Sequence, residues 1–186
     1  RRQPEVRSVS ARRRYRKGGG VLKRFPSGRF GRQRLEFFPA PFRAPLRAFA
    51  ALVFPWRGDL VLLCNIEDRG WCIPSGRVEP EETSCEAAIR EAQEEAGAIL
   101  EDMQYLGCYR VTERSEVRWV DVYVAQVAEL VEIGLPDESL GRKFVTLDEL
   151  PAIYHLWNDL THEVFLYSKE ILSRHRQAVA GLSHGP

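Results

Sequence analysis

Glu91, Glu94 and Glu95 are the residues whose type and spacing could do chemistry. On a helix started at Thr83, with 100° per residue, they fall within about a third of the circumference. Cys85, Ala88, Ile89, Ala92 and Ala96 form a separate apolar stripe. One face is expected to bury and the other to carry carboxylates. Three carboxylates that close raise one another's pKa unless a cation sits among them. Mg²⁺ is the natural cation, since it prefers oxygen ligands and keeps waters and substrate phosphates in its shell. Mn²⁺ is a reasonable substitute. The spacing therefore points to a helix-borne metal site for phosphate chemistry. The plainer alternative is a solvated acidic face.

The wider pattern favours the metal. Gly76, Glu82, Arg90-Glu91, Glu94-Glu95 and Gly97 recur at fixed spacing within Gly76–Ala98. This stretch resembles the Nudix box, the signature of the Nudix hydrolases. Ser75, Ala92 and Ala98 depart mildly from it. None of these departures removes a ligand.

The resemblance implies hydrolysis of a nucleoside diphosphate linked to some group X. It implies that Glu91, Glu94 and Glu95 are the metal-binding carboxylates, and that Glu82 and Arg90 are structural. Arg90, planar and two-pronged, suits gripping a carboxylate. Gly76 and Gly97 serve the backbone. Many family members carry a further glutamate six residues before an aromatic that begins the last strand. Here the aromatic is Phe144, in FVTLDELP, and the glutamate is Glu138. Glu138 is thus a candidate extra ligand or general base, or else a solvated loop residue. Glu91, Glu113 and Glu116 compete for the base.

Arg77, Arg110 and Arg114 are candidate phosphate contacts, with ordinary surface roles as the alternative. Trp71, Tyr109, Trp119 and Tyr123 could stack a base or pack the core. The four histidines show no partner pattern. Markers of the ADP-ribose, dinucleoside polyphosphate, coenzyme A and NADH subfamilies are absent. The favoured substrate is therefore a (deoxy)nucleoside triphosphate, cleaved to the monophosphate and pyrophosphate. ADP-ribose or another nucleotide sugar, the 5′ end of RNA, and a non-catalytic nucleotide-binding role stand as alternatives.

Local signals place these residues. Thr83 is an N-cap, Glu86 completes a capping box and Gly97 ends the helix, which predicts Ser84–Ala96. Strands are expected over Leu46–Phe54, Leu60–Ile66, Trp71–Ile73, Met103–Thr112, Val117–Val127 and Arg142–Thr146. Pro55–Asp59 and Pro74–Gly76 read as turns, and Glu129–Leu140 as a polar loop. Leu147–Leu150 starts a short helical turn before Pro151. Trp157, Leu160, Val164, Tyr167 and Ile171 mark an amphipathic helix over Trp157–Arg174. The class is α+β. The resemblance implies an αβα sandwich with a mixed central sheet.

The chain has 186 residues, 44% hydrophobic and 28% charged, enough for one domain with extensions. The expected division is a basic flexible arm over 1–20, a Pro/aromatic extension over 21–46, the hydrolase domain over 47–174 and a tail over 175–186. Residues 1–47 hold 15 of the 27 Lys and Arg against two acids. The arm could bind nucleic acid or simply be solvated. The exposed aromatics of Leu35–Phe42 suggest a homodimer. No apolar run approaches a bilayer span, so no membrane role is expected. Cys64, Cys72, Cys85 and Cys108 form no CxxC pair, read as small buried thiols, and suggest a reduced, cytoplasmic setting.

Overall fold

In the computed structural model, which describes residues 23–182, the sheet is ordered around the strand β3, Ala50–Arg57. On one side β3 pairs in parallel with β8, Glu116–Leu130. On the other it pairs antiparallel, first with β6, Ser75–Arg77, and then with β4, Leu60–Ile66. Beyond β8 come β7 (Ala98–Glu113), β2 (Gln33–Pro39) and β1 (Gly28–Phe30). Beyond β4 lies β9, Ser139–Val145, while β5, Gly70–Cys72, pairs with β4 on the edge that β4 also offers to β3. One parallel pairing among antiparallel ones makes the sheet mixed.

Each face of the sheet carries its own core. On one face Ala87, Ala88, Ala92 and Ala96 of α1, Ser84–Ala96, pack on Ala51, Val53, Leu62 and Cys64. On the other, Leu160, Val164, Phe165 and Leu172 of α3, Asp159–Leu182, pack on Phe54, Trp56, Val122 and Val124. The short α2, Leu150–Ile153, precedes α3. This is the expected α+β sandwich of helix, sheet and helix. The inward side chains of α1 are mostly alanines, so the helix can lie close to the sheet.

Several expectations change in detail. Pro55 and Trp56 belong to β3, and the turn shrinks to Gly58-Asp59. The Val53 N–H donates to the Pro74 carbonyl, so the Pro55 nitrogen faces the same edge, in the gap between the β6 and β4 pairings. A missing N–H costs nothing there. Ser75-Gly76 lies in a strand, because β3 leaves three residues open to it. Pro151 sits in the first turn of α2, where its absent N–H is tolerated. The helix α3 runs on to Leu182, into the stretch read as a tail.

The aromatic extension joins the body. β2 pairs with β7 over Arg34–Pro39, and Phe37 is buried against Phe25, Tyr109 and Tyr167. Phe37 thus finds cover within the chain, without a second subunit. The basic arm over 1–20 lies outside the described residues. Among the described residues no helix is long and apolar enough to cross a membrane.

Candidate active site

Helix α1 has the predicted bounds and caps. Thr83 Oγ1 accepts from the Glu86 N–H, the Glu86 carboxylate accepts from the Thr83 N–H, and Gly97 takes a left-handed conformation at φ 58°. Its burial pattern differs from the stripe read in the sequence. Ile89 is 43% exposed, while Glu91 and Glu95 are only 9% and 5% exposed. Both carboxylates lie on the arc that includes Ala87, Ala88 and Ala92, so packing the alanines pulls them inward.

Arg90 organises the cluster. Its Nε and Nη2 grip the two carboxylate oxygens of Glu82 at 3.1 and 2.7 Å. Its Nη1 reaches Glu91 Oε1 at 2.7 Å and Glu94 Oε2 at 2.9 Å, and Nη2 also donates to the Arg77 carbonyl. The Glu82 hydrogen bonds foremost hold the guanidinium charged and keep Glu82 below the usual carboxylate range. Arg90 therefore fastens the loop to the helix.

Glu91 and Glu95 pay for burial electrostatically. Burial pushes the Glu91 carboxyl up, against the pull of Arg90. Burial likewise raises Glu95 to about 7, although Oε2 accepts the Ser75 N–H at 2.9 Å. Gly76 lies against Glu91, and a Cβ there would collide with its carboxylate. That close approach is why the box needs glycine.

Three supports escaped the sequence reading. Arg47 donates to the carbonyls of Glu79, Pro80 and Glu82, bracing the loop before α1. Arg142 reaches the carbonyls of Ala96, Gly97 and Val131, where a cation complements the end of a helix. Arg69 lies 3.8 Å from Glu95 Oε1 and donates to Ser75 Oγ at 2.8 Å. Each acts through contacts more than ten residues away in sequence, or through a loop with no periodicity.

The other candidates spread out. The α1 start is tied to β8 by Ser84 Oγ and Asp121 at 2.6 Å, and its end by the Val131 N–H on Gly97 O. The helix thus runs along β8 from residue 121 toward 131. Glu113 and Glu116 sit at the β7–β8 hairpin end, in the opposite direction. Arg110 and Arg114 lie toward that same end, Arg110 3.8 Å from Glu36. The Arg77 guanidinium stacks on Phe49 at 5.1 Å. Trp119 and Tyr123 are buried and Tyr109 packs on Phe37. Trp71 is half-buried under the Lys143 ammonium at 4.4 Å. Glu138 is exposed, but its neighbour Ser139 donates to Glu95 O at 2.6 Å. It therefore stands at the carboxylate end of α1.

The donor set suits a hard divalent cation: two buried carboxylates of raised pKa, a third beside them, and backbone held close by Gly76. Among the described residues no three such side chains converge on one point. Arg90 holds Glu91 and Glu94, while Glu95 turns to Ser75. The residues fit in type and burial, and the cation would compete with Arg90 for Glu91 and Glu94.

The family model described as NUDIX domain matches residues 44–165. The provisionally named 8-oxo-dGTP diphosphatase YtkD of Bacillus subtilis is 44% identical over 94 residues, covering 50% of this chain and 58% of that protein. Human diphosphoinositol polyphosphate phosphohydrolase 3-alpha is 40% identical over 90 residues, covering 47% and 54%. The chain thus spans little more than half the length of these relatives. Among solved structures, a single-site mutant of the Bacillus subtilis pyrophosphohydrolase BsRppH aligns with TM-score 0.57 and 28% identity, over 64% of this chain and 77% of that one. A NUDIX hydrolase from Nitrosomonas europaea aligns with TM-score 0.57 over 68% and 90%, and at 19% identity it speaks for the fold alone.

Proposed function

The chain belongs to the NUDIX domain family, and on that premise we propose that it is a divalent-metal-dependent pyrophosphohydrolase of (deoxy)nucleoside triphosphates. The products are the monophosphate and pyrophosphate. One observation carries the reading: Glu91 and Glu95 are buried on α1 against β6, with Arg90 fastening Glu91 and Glu94 to Glu82. A solvated acidic face would have no reason to bury two carboxylates at an electrostatic cost.

Glu91, Glu94 and Glu95 would hold the cation, with Mg²⁺ the preferred ion and Mn²⁺ a substitute. When bound, a divalent ion would neutralise charge on the substrate's phosphates and lower the pKa of an attacking water. Arg90 holds Glu91 and Glu94 beside Glu82. Gly76 lets the Glu91 carboxylate lie against the backbone. The Ser75 N–H orients Glu95. Glu138, exposed and next to the Ser139–Glu95 contact, or Glu91 itself, takes the proton from water.

Similarity to YtkD supports a nucleoside triphosphate, and similarity to the diphosphoinositol polyphosphate phosphohydrolase favours a second reading in which a diphosphorylated inositol is cleaved. A panel of nucleoside triphosphates, oxidised deoxynucleotides, ADP-ribose, 5′-triphosphorylated RNA and diphosphoinositol phosphates, assayed for phosphate and pyrophosphate with Mg²⁺ or Mn²⁺, tests both. Pyrophosphate from a triphosphate supports the first reading. Orthophosphate from the inositol alone would overturn it.

A further inference from the structure

Cys64 on β4 and Cys72 on β5 are register partners across an antiparallel pair, and their Sγ atoms stand 4.0 Å apart. Both are free thiols. Cys64 Sγ lies 3.7 Å from Glu95 Oε2, and Arg69 Nη1 lies 3.8 Å from Cys72 Sγ. The pair therefore sits directly beneath the carboxylate assigned to catalysis.

We propose that Cys64 and Cys72 are an oxidisable dithiol, a modification site for hydroperoxides, whose disulfide displaces Glu95 and slows turnover. The loss of turnover rests on the reading of Glu95 given above. Formation of the disulfide does not.

Geometry favours the bond. Partners across antiparallel strands have Cα atoms about 4.5–5.5 Å apart, inside the range that disulfides span. Little backbone movement is needed to bring the sulfurs from 4.0 Å to about 2.05 Å. Buried thiols are ordinarily inert for want of access. Here β5 has only three residues, pairs with β4 over Gly70–Cys72 alone and meets a single Trp71–Tyr154 bridge on its other side. Such a strand opens at low cost. The Arg69 side chain over Cys72 is itself 35% exposed. The Arg69 guanidinium, 3.8 Å from Cys72 Sγ, stands where it favours a thiolate, which makes Cys72 the attacking sulfur.

The steps balance. The Cys72 sulfur attacks the outer peroxide oxygen. The O–O bond breaks, the alcohol or water leaves with the thiol proton, and a sulfenic acid remains. The Cys64 sulfur then attacks the sulfenic sulfur. The S–S bond forms, the S–O bond breaks, and the hydroxyl departs as water with the second thiol proton. Two thiols lose two electrons and the peroxide gains them. Cys64 can no longer donate to Glu95, and the pull on Cys72 moves Ser75, three residues on, whose N–H holds the same carboxylate.

The test treats the reduced full chain with hydrogen peroxide, then maps peptides by mass and assays pyrophosphate release. The expected result is a linked Cys64–Cys72 peptide, a fall in kcat of about tenfold and recovery with dithiothreitol. Cys72→Ala, or Cys72→Ser if the alanine misfolds, keeps its activity in peroxide, and Cys85→Ala stays as sensitive as the parent. Absence of the linked peptide overturns the proposal, as does a linked peptide with unchanged kcat. Mapping needs no turnover, so failure of the hydrolase reading is seen separately, as no activity in the reduced chain.

Discussion

The Glu91 carboxylate lies against Gly76, so close that a Cβ on Gly76 would occupy its place. A strand residue and a helix residue 15 positions apart thus fix each other. Gly76→Ala must push Glu91 away from β6. We expect kcat to fall about 10- to 100-fold, with far-ultraviolet circular dichroism unchanged. Parent-like kcat in the alanine variant would contradict the contact.

Arg90 and Glu82 make the same kind of claim at two points. Arg90→Lys keeps the charge but cannot fork across Glu82 while also holding Glu91 and Glu94. We expect about tenfold lower kcat and a weaker response to Mg²⁺. Steady-state kinetics over a Mg²⁺ series checks this. Full activity in the lysine variant would show that charge alone suffices.

The helix caps set stability rather than chemistry. Thr83→Ala removes the Oγ1 acceptor of the Glu86 N–H and should cost about 1 kcal/mol. Gly97→Ala should cost more, because φ is 58° and a side chain there would meet Arg142 and the Val131 carbonyl. Urea unfolding measures both. An alanine at 97 as stable as glycine would rule out the close contact with Arg142.

Those caps explain how much of the fold was legible. Thr83, Glu86 and Gly97 act within a few residues, so the bounds of α1 followed from local chemistry. Strand β4 was equally plain, because an apolar run between turns has few other uses. The end of β3 and its turn were misjudged, since Pro55 is harmless only where two pairings meet. Ile89 and Glu91 exchanged their expected burial because a wheel cannot say which alanines set the contact face. The box residues were readable by spacing. Arg47, Arg69 and Arg142 were not, since each reaches carbonyls, a hydroxyl or a carboxylate brought close only by tertiary folding.

His155 supplies a pH dependence. Burial first, then the nearby Arg69 charge, lowers it to about 4 from the ordinary 6.5. The folded imidazole stays neutral where the unfolded one has taken a proton. Its contribution is full above pH 6.5 and is lost as the pH falls toward about 4. The half-buried ring is partly screened, so the loss should be about 1–2 kcal/mol. His155→Gln, which cannot titrate, should show a flatter fall in urea-derived stability between pH 7 and 4. Identical slopes in parent and variant would rule out His155 as the source.

Glu95→Gln tests the central claim most directly. The amide keeps the shape and can still accept from the Ser75 N–H, so the fold and the melting temperature should hold. It removes the negative oxygen assigned to the cation. With a triphosphate substrate and saturating Mg²⁺, kcat should fall by at least about 1,000-fold. A folded Glu95→Gln protein that turns over at the parent rate would contradict the account.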